Sequence, residues 1–181
     1  MLDQLINLIR KNSGDGIENN SNIPNEKNEV AVQNAGTSIM ATLQNALAGG
    51  KIGDVLDYFK NGGSNNDPIV KEATTNYANE LQNNLGLGAQ EANDAASKVI
   101  PGTMNELASK TTDPANNEFN IQDIFNKLSG GKAGSLNIQE MLNKYTGGKL
   151  DKDGDGDVDF QDLKAMFSGG NLMGKVKGFF E

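Results

Sequence analysis

The chain has 181 residues, 36% of them hydrophobic, with a formal net charge of −8 and a pI of about 4.6. That length carries one domain with a sizeable core, or one domain and a small appendage. The acidic balance argues against nucleic acid or an anionic membrane as partner, since both need a basic face.

Cys and His are absent, which removes disulfides, thiol nucleophiles, Ser-His and Cys-His machinery and the usual zinc sites. Met1 to Arg10 has an early acid, Asp3, and neither the basic lead nor the unbroken apolar run of a secretory signal. No segment reaches the length of a membrane span. A soluble, cytoplasmic protein is the expectation.

Leu2, Leu5, Ile6 and Ile9 recur at helical spacing and predict a short amphipathic helix over 2–11. Residues 12–25 are polar, close at Pro24 and read as a loop. A second helix is expected from about Glu26 to Ala48, with Ile39, Leu43 and Leu47 on its buried face, stopped by Gly49-Gly50. Ile52, Val55, Leu56 and Phe59 mark a third, stopped by Gly62-Gly63. Asp67-Pro68 is a strong helix start, a side-chain cap followed by proline at the first helical position. Val70, Ala73, Tyr77 and Leu81 then line one face up to Gly86. Residues 89–100 are Ala-rich and helical, small enough for close helix approach, and Pro101 begins or kinks the next piece, which carries Met104 and Leu107. Thr111 to Asn117 reads as a connection.

The last third repeats. Asn120 to Gly131, Asn137 to Gly148 and Asp159 to Gly170 are three copies of one unit. Each opens on an Asn or Asp cap with an acid three residues on, close to a capping box. Apolar residues recur as in Ile121, Ile124 and Leu128, or Phe160, Leu163 and Phe167, and each copy stops at a glycine pair suited to a left-handed cap. Such helices are too short to stand alone and must pack. No strand-like alternation occurs, so the expected class is all-α: a compact helical domain followed by short capped-helix repeats.

The third copy differs in what precedes its cap. Asp151-Lys-Asp-Gly-Asp-Gly-Asp-Val-Asp-Phe-Gln-Asp162 puts carboxylates at positions 1, 3, 5, 9 and 12 of a twelve-residue loop and Gly156 at position 6. That spacing wraps one hard cation in oxygen ligands. Asp151, Asp153 and Asp155 would ligate through side chains and Asp157 through its carbonyl. Asp159 would act directly or through water, and Asp162 would close the site. Gly156 permits the positive-φ bend. A solvated acidic turn is the bland alternative, but a chance turn has no reason to fill every ligand position. Position 12 is Asp where the standard loop has a bidentate Glu, so a weaker calcium site that tolerates magnesium is expected. Gly14-Asp15-Gly16 echoes the loop centre, yet Lys11 and Ser13 stand at its first and third positions, and it reads as a polar turn.

The tail mixes Leu172, Val176, Phe179 and Phe180 with Lys175 and Lys177, and is expected to dock on the core rather than on a membrane. Carboxylate-based glycoside chemistry is disfavoured by the absence of Trp and the scarcity of other aromatics.

Two resemblances follow from these residues. Met1-Leu-Asp-Gln-Leu-Ile-Asn-Leu-Ile9, the Gly-Gly-stopped helix Ile52 to Phe59, and Leu85-Gly-Leu-Gly followed by the Ala-rich helix into Val99-Ile-Pro101 resemble the bacterial YidB-like proteins. That resemblance implies a compact helical fold over 1–128 and supplies no catalytic residues. The loop resembles EF-hand and dockerin motifs; like dockerins it has Asp at position 12 and lacks a regular entering helix. It departs from them in having one loop, and in Phe160 and Gln161.

The expected organisation is thus a helical domain over 1–128, a Gly-rich connection with a short helix over 129–148, a calcium-binding segment over 149–170 and a tail over 171–181. The expected function is non-enzymatic calcium binding, the ion bracing the C-terminal segment. The alternative is a calcium-dependent interaction module, dockerin-like or self-pairing into a homodimer through Val158.

Overall fold

The computed structural model describes residues 2–61, 64–113, 115–116, 118–131 and 137–144, and no strand occurs among them. The protein is all-α. In chain order the helices are α1 (Leu2–Lys11), α2 (Asn28–Ala48), α3 (Ile52–Lys60), α4 (Pro68–Glu80), α5 (Ala89–Thr112), α6 (Ile121–Leu128) and α7 (Ile138–Lys144).

Helix α2 is central and touches α1, α3, α4, α5 and α6. Its buried arc is correspondingly broad, including Ala31, Val32, Ala35, Ile39, Leu43 and Ala46. Helices α4 and α5 form the most extensive pair. Ala73 and Ala78 of α4, and Ala92, Ala95, Ala96 and Ala108 of α5, are all buried. Small side chains set a short distance between helix axes. Val70, Ala73, Tyr77 and Leu81 line the buried face of the α4 segment as the sequence predicts.

Two glycines mark the closest approaches. At Gly36 on α2, an added Cβ would stand 3.0 Å from the Ile6 side chain of α1. At Gly16 it would stand 2.4 Å from Val99 Cγ2 and 3.1 Å from the Ala95 carbonyl oxygen, both on α5.

The segment 12–25, expected as a polar loop, is more ordered than that. Gly14–Glu18 form one π-helical turn, and Asn25–Lys27 a short 3₁₀ turn leading into α2. The Ser13 carbonyl accepts from Gly16, Ile17 and Glu18 N–H groups, and Ile17 and Ile23 enter the core. Two isoleucines in a polar stretch were the missed signal: their burial, with the Ile17 turn packed on α5, overrides the local preference for a loop.

Helix α5 is one helix from Ala89 to Thr112, with Pro101 inside it. Proline lacks the N–H that would bond the Ser97 carbonyl, a loss of about 3 kcal/mol in a helix interior. The buried stripe Ala95, Ala96, Val99, Ile100, Thr103, Met104, Leu107 and Ala108 keeps its phase straight through Pro101, and its packing outweighs that loss. The Tyr58 hydroxyl of α3 donates to the Met104 carbonyl just beyond the proline, pinning α3 to this part of α5. Full burial pushes the Tyr58 phenol well above its ordinary pKa, with Asp67 adding to the effect, so it stays a neutral donor.

Helix α4 starts as its sequence predicts. Asp67 is extended and its Oδ1 accepts from Ile69 N–H at 2.8 Å, with Pro68 next. The helix runs into a π-helical turn, Leu81–Leu85, closed by Gly86 at φ +76°. Burial pushes the Asp67 carboxyl above its usual range, opposed by the Ile69 and Val70 N–H groups and reinforced by Asp54 and Asp57. A raised acid pKa means that folding loses stability as pH climbs from the unfolded toward the folded value.

Two expectations follow for urea or thermal unfolding. Gly16→Ala costs about 1–3 kcal/mol through overpacking against Val99 and Ala95, and Gly16→Ala with Val99→Ala recovers part of it; a neutral Gly16→Ala contradicts the packing described. Asp67→Ala loses about 1 kcal/mol of cap energy, whereas Asp67→Asn keeps the cap and flattens the decline in stability as pH rises through the carboxylate range. Equal losses in both variants would show that the cap bond does not matter.

Candidate functional site: the capped repeats

Asp151, Asp153, Asp155, Asp157, Asp159 and Asp162 all lie outside the described residues, as do the third repeat and the tail. The first repeat, and the second as far as Lys144, are described, and they show how the unit is built.

In the first, Asn120 is extended and its side-chain oxygen accepts from Gln122 N–H at 2.8 Å and Asp123 N–H at 3.4 Å. Ile121, Ile124, Phe125 and Leu128 are buried, and the Phe125 ring lies 6.1 Å from that of Phe59 on α3. Gly130 and Gly131 adopt φ +65° and +91°. Left-handed backbone of this kind favours glycine, which accounts for the pair that ends the first copy. Gly131 N–H returns to the Asn126 carbonyl at 2.7 Å, closing the helix.

In the second, Asn137 Oδ1 accepts from Glu140 N–H at 3.0 Å, while Asn137 Nδ2 donates to Glu140 Oε2 at 3.4 Å. Cap and third helical residue thus satisfy each other reciprocally, a side-chain form of the capping box. Ile138, Met141 and Leu142 are buried. The junction between α6 and α7 carries one further bond: Gln122 Oε1 accepts from Ile138 N–H at 2.9 Å. That glutamine escaped the sequence reading. Its signal was recurrence, since Gln122, Gln139 and Gln161 stand two residues past the cap in all three copies. A second missed signal is Phe119, buried just before Asn120. With Ile124 it forms the arrangement of a hydrophobic staple, and Leu136 and Val158 hold the same place in the other copies.

Elsewhere, the described residues contain no group of three or more acidic, His or Cys side chains able to hold a metal. A polar cleft of about 190 Å³ opens between α1, the end of α5 and the segment leading to α6. Lys11 Nζ lies 2.6 Å from Glu106 Oε1, Asn12 Nδ2 donates to Glu106 Oε2 at 3.1 Å, and Lys110 Nζ stands 3.8 Å from Glu118. The Lys11 contact holds the Glu106 carboxyl below its ordinary pKa against the opposing effect of partial burial, and Asn12 and Lys110 assist. Each cation here meets a carboxylate, so the cleft has no net attraction for an ion of either sign. A shallower groove of about 320 Å³ is lined by Leu2, Thr37, Met40, Ala41, Gln44 and Lys127, with no carboxylate among them. Neither the cleft nor the groove offers an acid–base pair set for catalysis. No described helix is long and apolar enough to cross a membrane.

No protein-family model matches the chain, and no curated protein and no solved structure matches it significantly.

The described caps yield a test of their own. Asn137→Asp replaces the Nδ2 donor by a carboxylate facing Glu140. Like charges at this spacing repel by about 0.2–0.5 kcal/mol. Asn137→Asp is therefore expected to be less stable in the native background than beside Glu140→Gln, with the difference shrinking at high salt. A double-mutant cycle with no coupling would show that the two side chains do not meet in solution.

Proposed function

We propose that this chain is a non-enzymatic calcium-binding helical protein. Asp151, Asp153, Asp155, Asp157, Asp159 and Asp162 hold one ion, which braces the C-terminal segment. The observation that carries the proposal is the reciprocal cap of α7. There an amide hydrogen of Asn137 lies between the cap and the Glu140 carboxylate. The third copy keeps the acid, Asp162, and turns the cap into a second acid, Asp159. A donor has become an acceptor, so the two carboxylates of this capping pair repel weakly, and a cation between them would relieve that repulsion. Four more aspartates precede the cap in calcium-loop register, and Gly156 stands where the loop must bend.

The brace reading is supported by length. Helices α6 and α7 have eight and seven residues, far below what stands alone in water, and a third helix of the same unit needs an equivalent anchor. The shorter Asp162 at position 12 makes the site a weak one with some affinity for magnesium. The YidB-like resemblance is part of the same proposal. The stretches that carry it form α1, α3 and the Gly86 turn that leads into α5.

Calorimetric titration of metal-stripped protein is the test. Calcium is expected to bind once per chain, more tightly than magnesium, and Asp151→Asn with Asp155→Asn to abolish the heat. At a hundredfold excess over the dissociation constant the ion stabilises the segment that it binds by about 2.7 kcal/mol. A silent titration and a melting curve unmoved by calcium would overturn the proposal.

A further inference from the structure

We propose that the charge-free outer face of α2 is a docking groove for a partner helix, one with a two-turn apolar face and a single carboxylate beside it that meets Lys127. Helix α2 carries the anomaly. Charged residues make up 22% of the chain, yet none stands between Val30 and Gly50. A helix packed on one side normally turns charged and polar side chains outward. Here the buried face includes Ala35, Ile39, Leu43 and Ala46, and the exposed residues Val30, Thr37 and Gln44 carry no charge. Their seven-residue spacing puts them on one stripe. The described residues have two exposed large hydrophobic side chains, Leu2 at 55% and Val30 at 46%. Leu2 lines the groove, and Val30 extends the stripe by two turns.

The groove lies where this stripe passes Leu2 of α1 and Lys127 of α6. Both helices pack on α2. Leu2 sits close to α2: an added Cβ at Gly36 would stand 3.9 Å from Leu2 Cδ1. Thr37, Met40, Ala41 and Gln44 line the α2 side, at i, i+3, i+4 and i+7, a length of about 10 Å. Met40 also packs against the core, which holds this floor in place. The space, about 320 Å³, is shallow. Small-molecule sites enclose most of their ligand, and this groove does not. A helix laid in a groove needs only one face covered, at this same spacing.

Charge narrows the partner. Lys127 is exposed and is the one charged residue among those lining the groove. It forms no ion pair with a described carboxylate. A carboxylate on the incoming helix is therefore attracted, and a lysine in its place repelled. One carboxylate is enough, because the chain's net charge of −8 opposes a strongly acidic partner. A second copy of the chain fits less well. An isologous dimer would set this face against itself and bring another lysine with no groove carboxylate to meet it. The docking is independent of the ion-binding loop.

Chemical-shift titration of the full chain is the test. The probe is a capped synthetic helix with leucines at i, i+3, i+4 and i+7 and one glutamate beside them. Shifts are expected at Thr37, Ala41, Gln44 and Lys127. Lysine in place of the probe's glutamate is expected to weaken binding about two- to fivefold, the worth of one exposed ion pair, and Lys127→Glu to reverse that preference. Circular dichroism checks that the variant is folded. No shift at about 1 mM peptide, shifts confined to other helices, or equal binding of the two peptides overturns the proposal. Decanoate binding there more tightly than the peptide overturns it in favour of a fatty-acid chain. Groove signals that move on dilution, with a dimer in sedimentation, overturn it in favour of a second copy. The chain has no Cys, so Ala41→Cys takes a single nitroxide label. Broadening of residues beyond Lys144 in dilute, peptide-free protein overturns the proposal in favour of the chain's own C-terminal segment.

Discussion

The fold depends on backbones coming close through small side chains. Alanines on α4 and α5 face the core, Gly36 admits α1 onto α2, and Gly16 admits a π-helical turn onto α5. A chain with no Trp and few other aromatics cannot fill a core with large anchors. It gains instead from density, because many weak dispersion contacts add up only where atoms meet without gaps. The same density holds α5 helical through Pro101. Polar residues in these helices are accommodated locally. Thr42, Thr103 and Thr111 are buried and each donates its hydroxyl to the carbonyl four residues back, so these three enter the interior without losing hydrogen bonds, whereas the Ser38 and Tyr77 hydroxyls are buried without a partner among the described residues.

The C-terminal repeats follow another rule. Their helices are short, so caps and docking stand in for length. Asn120 closes the start of α6, glycines close its end, and Phe125 against Phe59 fastens it to the helical domain. Helix α7 then hangs on α6, through its apolar face and through Gln122. Among the described residues, α6 thus supplies the surface and one acceptor for α7.

Most of the helix positions were legible because their signals are local. The start of α4 at Asp67-Pro68, the apolar face through Tyr77, the stops at Gly49-Gly50 and Gly130-Gly131 and the caps Asn120 and Asn137 need only the residues within one turn. The reading went astray where distant packing decides. Pro101 reads as a boundary, yet the buried stripe on either side keeps one phase, and periodicity was the better guide. Residues 12–25 look like a loop because polar residues outnumber Ile17 and Ile23, and nothing local says that the core waits to take them. The Lys11–Glu106 contact joins residues far apart in sequence, and no pattern marks such a pair. The ion-binding loop is the reverse case. Its ligand spacing is legible in the sequence alone and lies outside the described residues, so its support comes from the caps of the copies before it.

Comparison of the three caps shows why an ion suits the last one. Asp and Asn are about equally good helix caps, and a negative charge at a helix start is favoured by the helix dipole. Changing the cap from Asn to Asp therefore costs the helix itself little. The change falls on the pair with the acid three residues on, where attraction through an amide hydrogen becomes repulsion. One such pair is a small burden, comparable to other like-charge neighbours on a helix. Six carboxylates within twelve residues, offset inside the loop by Lys152 alone, are a larger one, and a divalent cation answers all of them together. On the proposed reading the third copy therefore differs from its neighbours in binding a metal ahead of its cap position. A sensor would also need a second arrangement for the ion to select against. The proposed brace needs no such second arrangement.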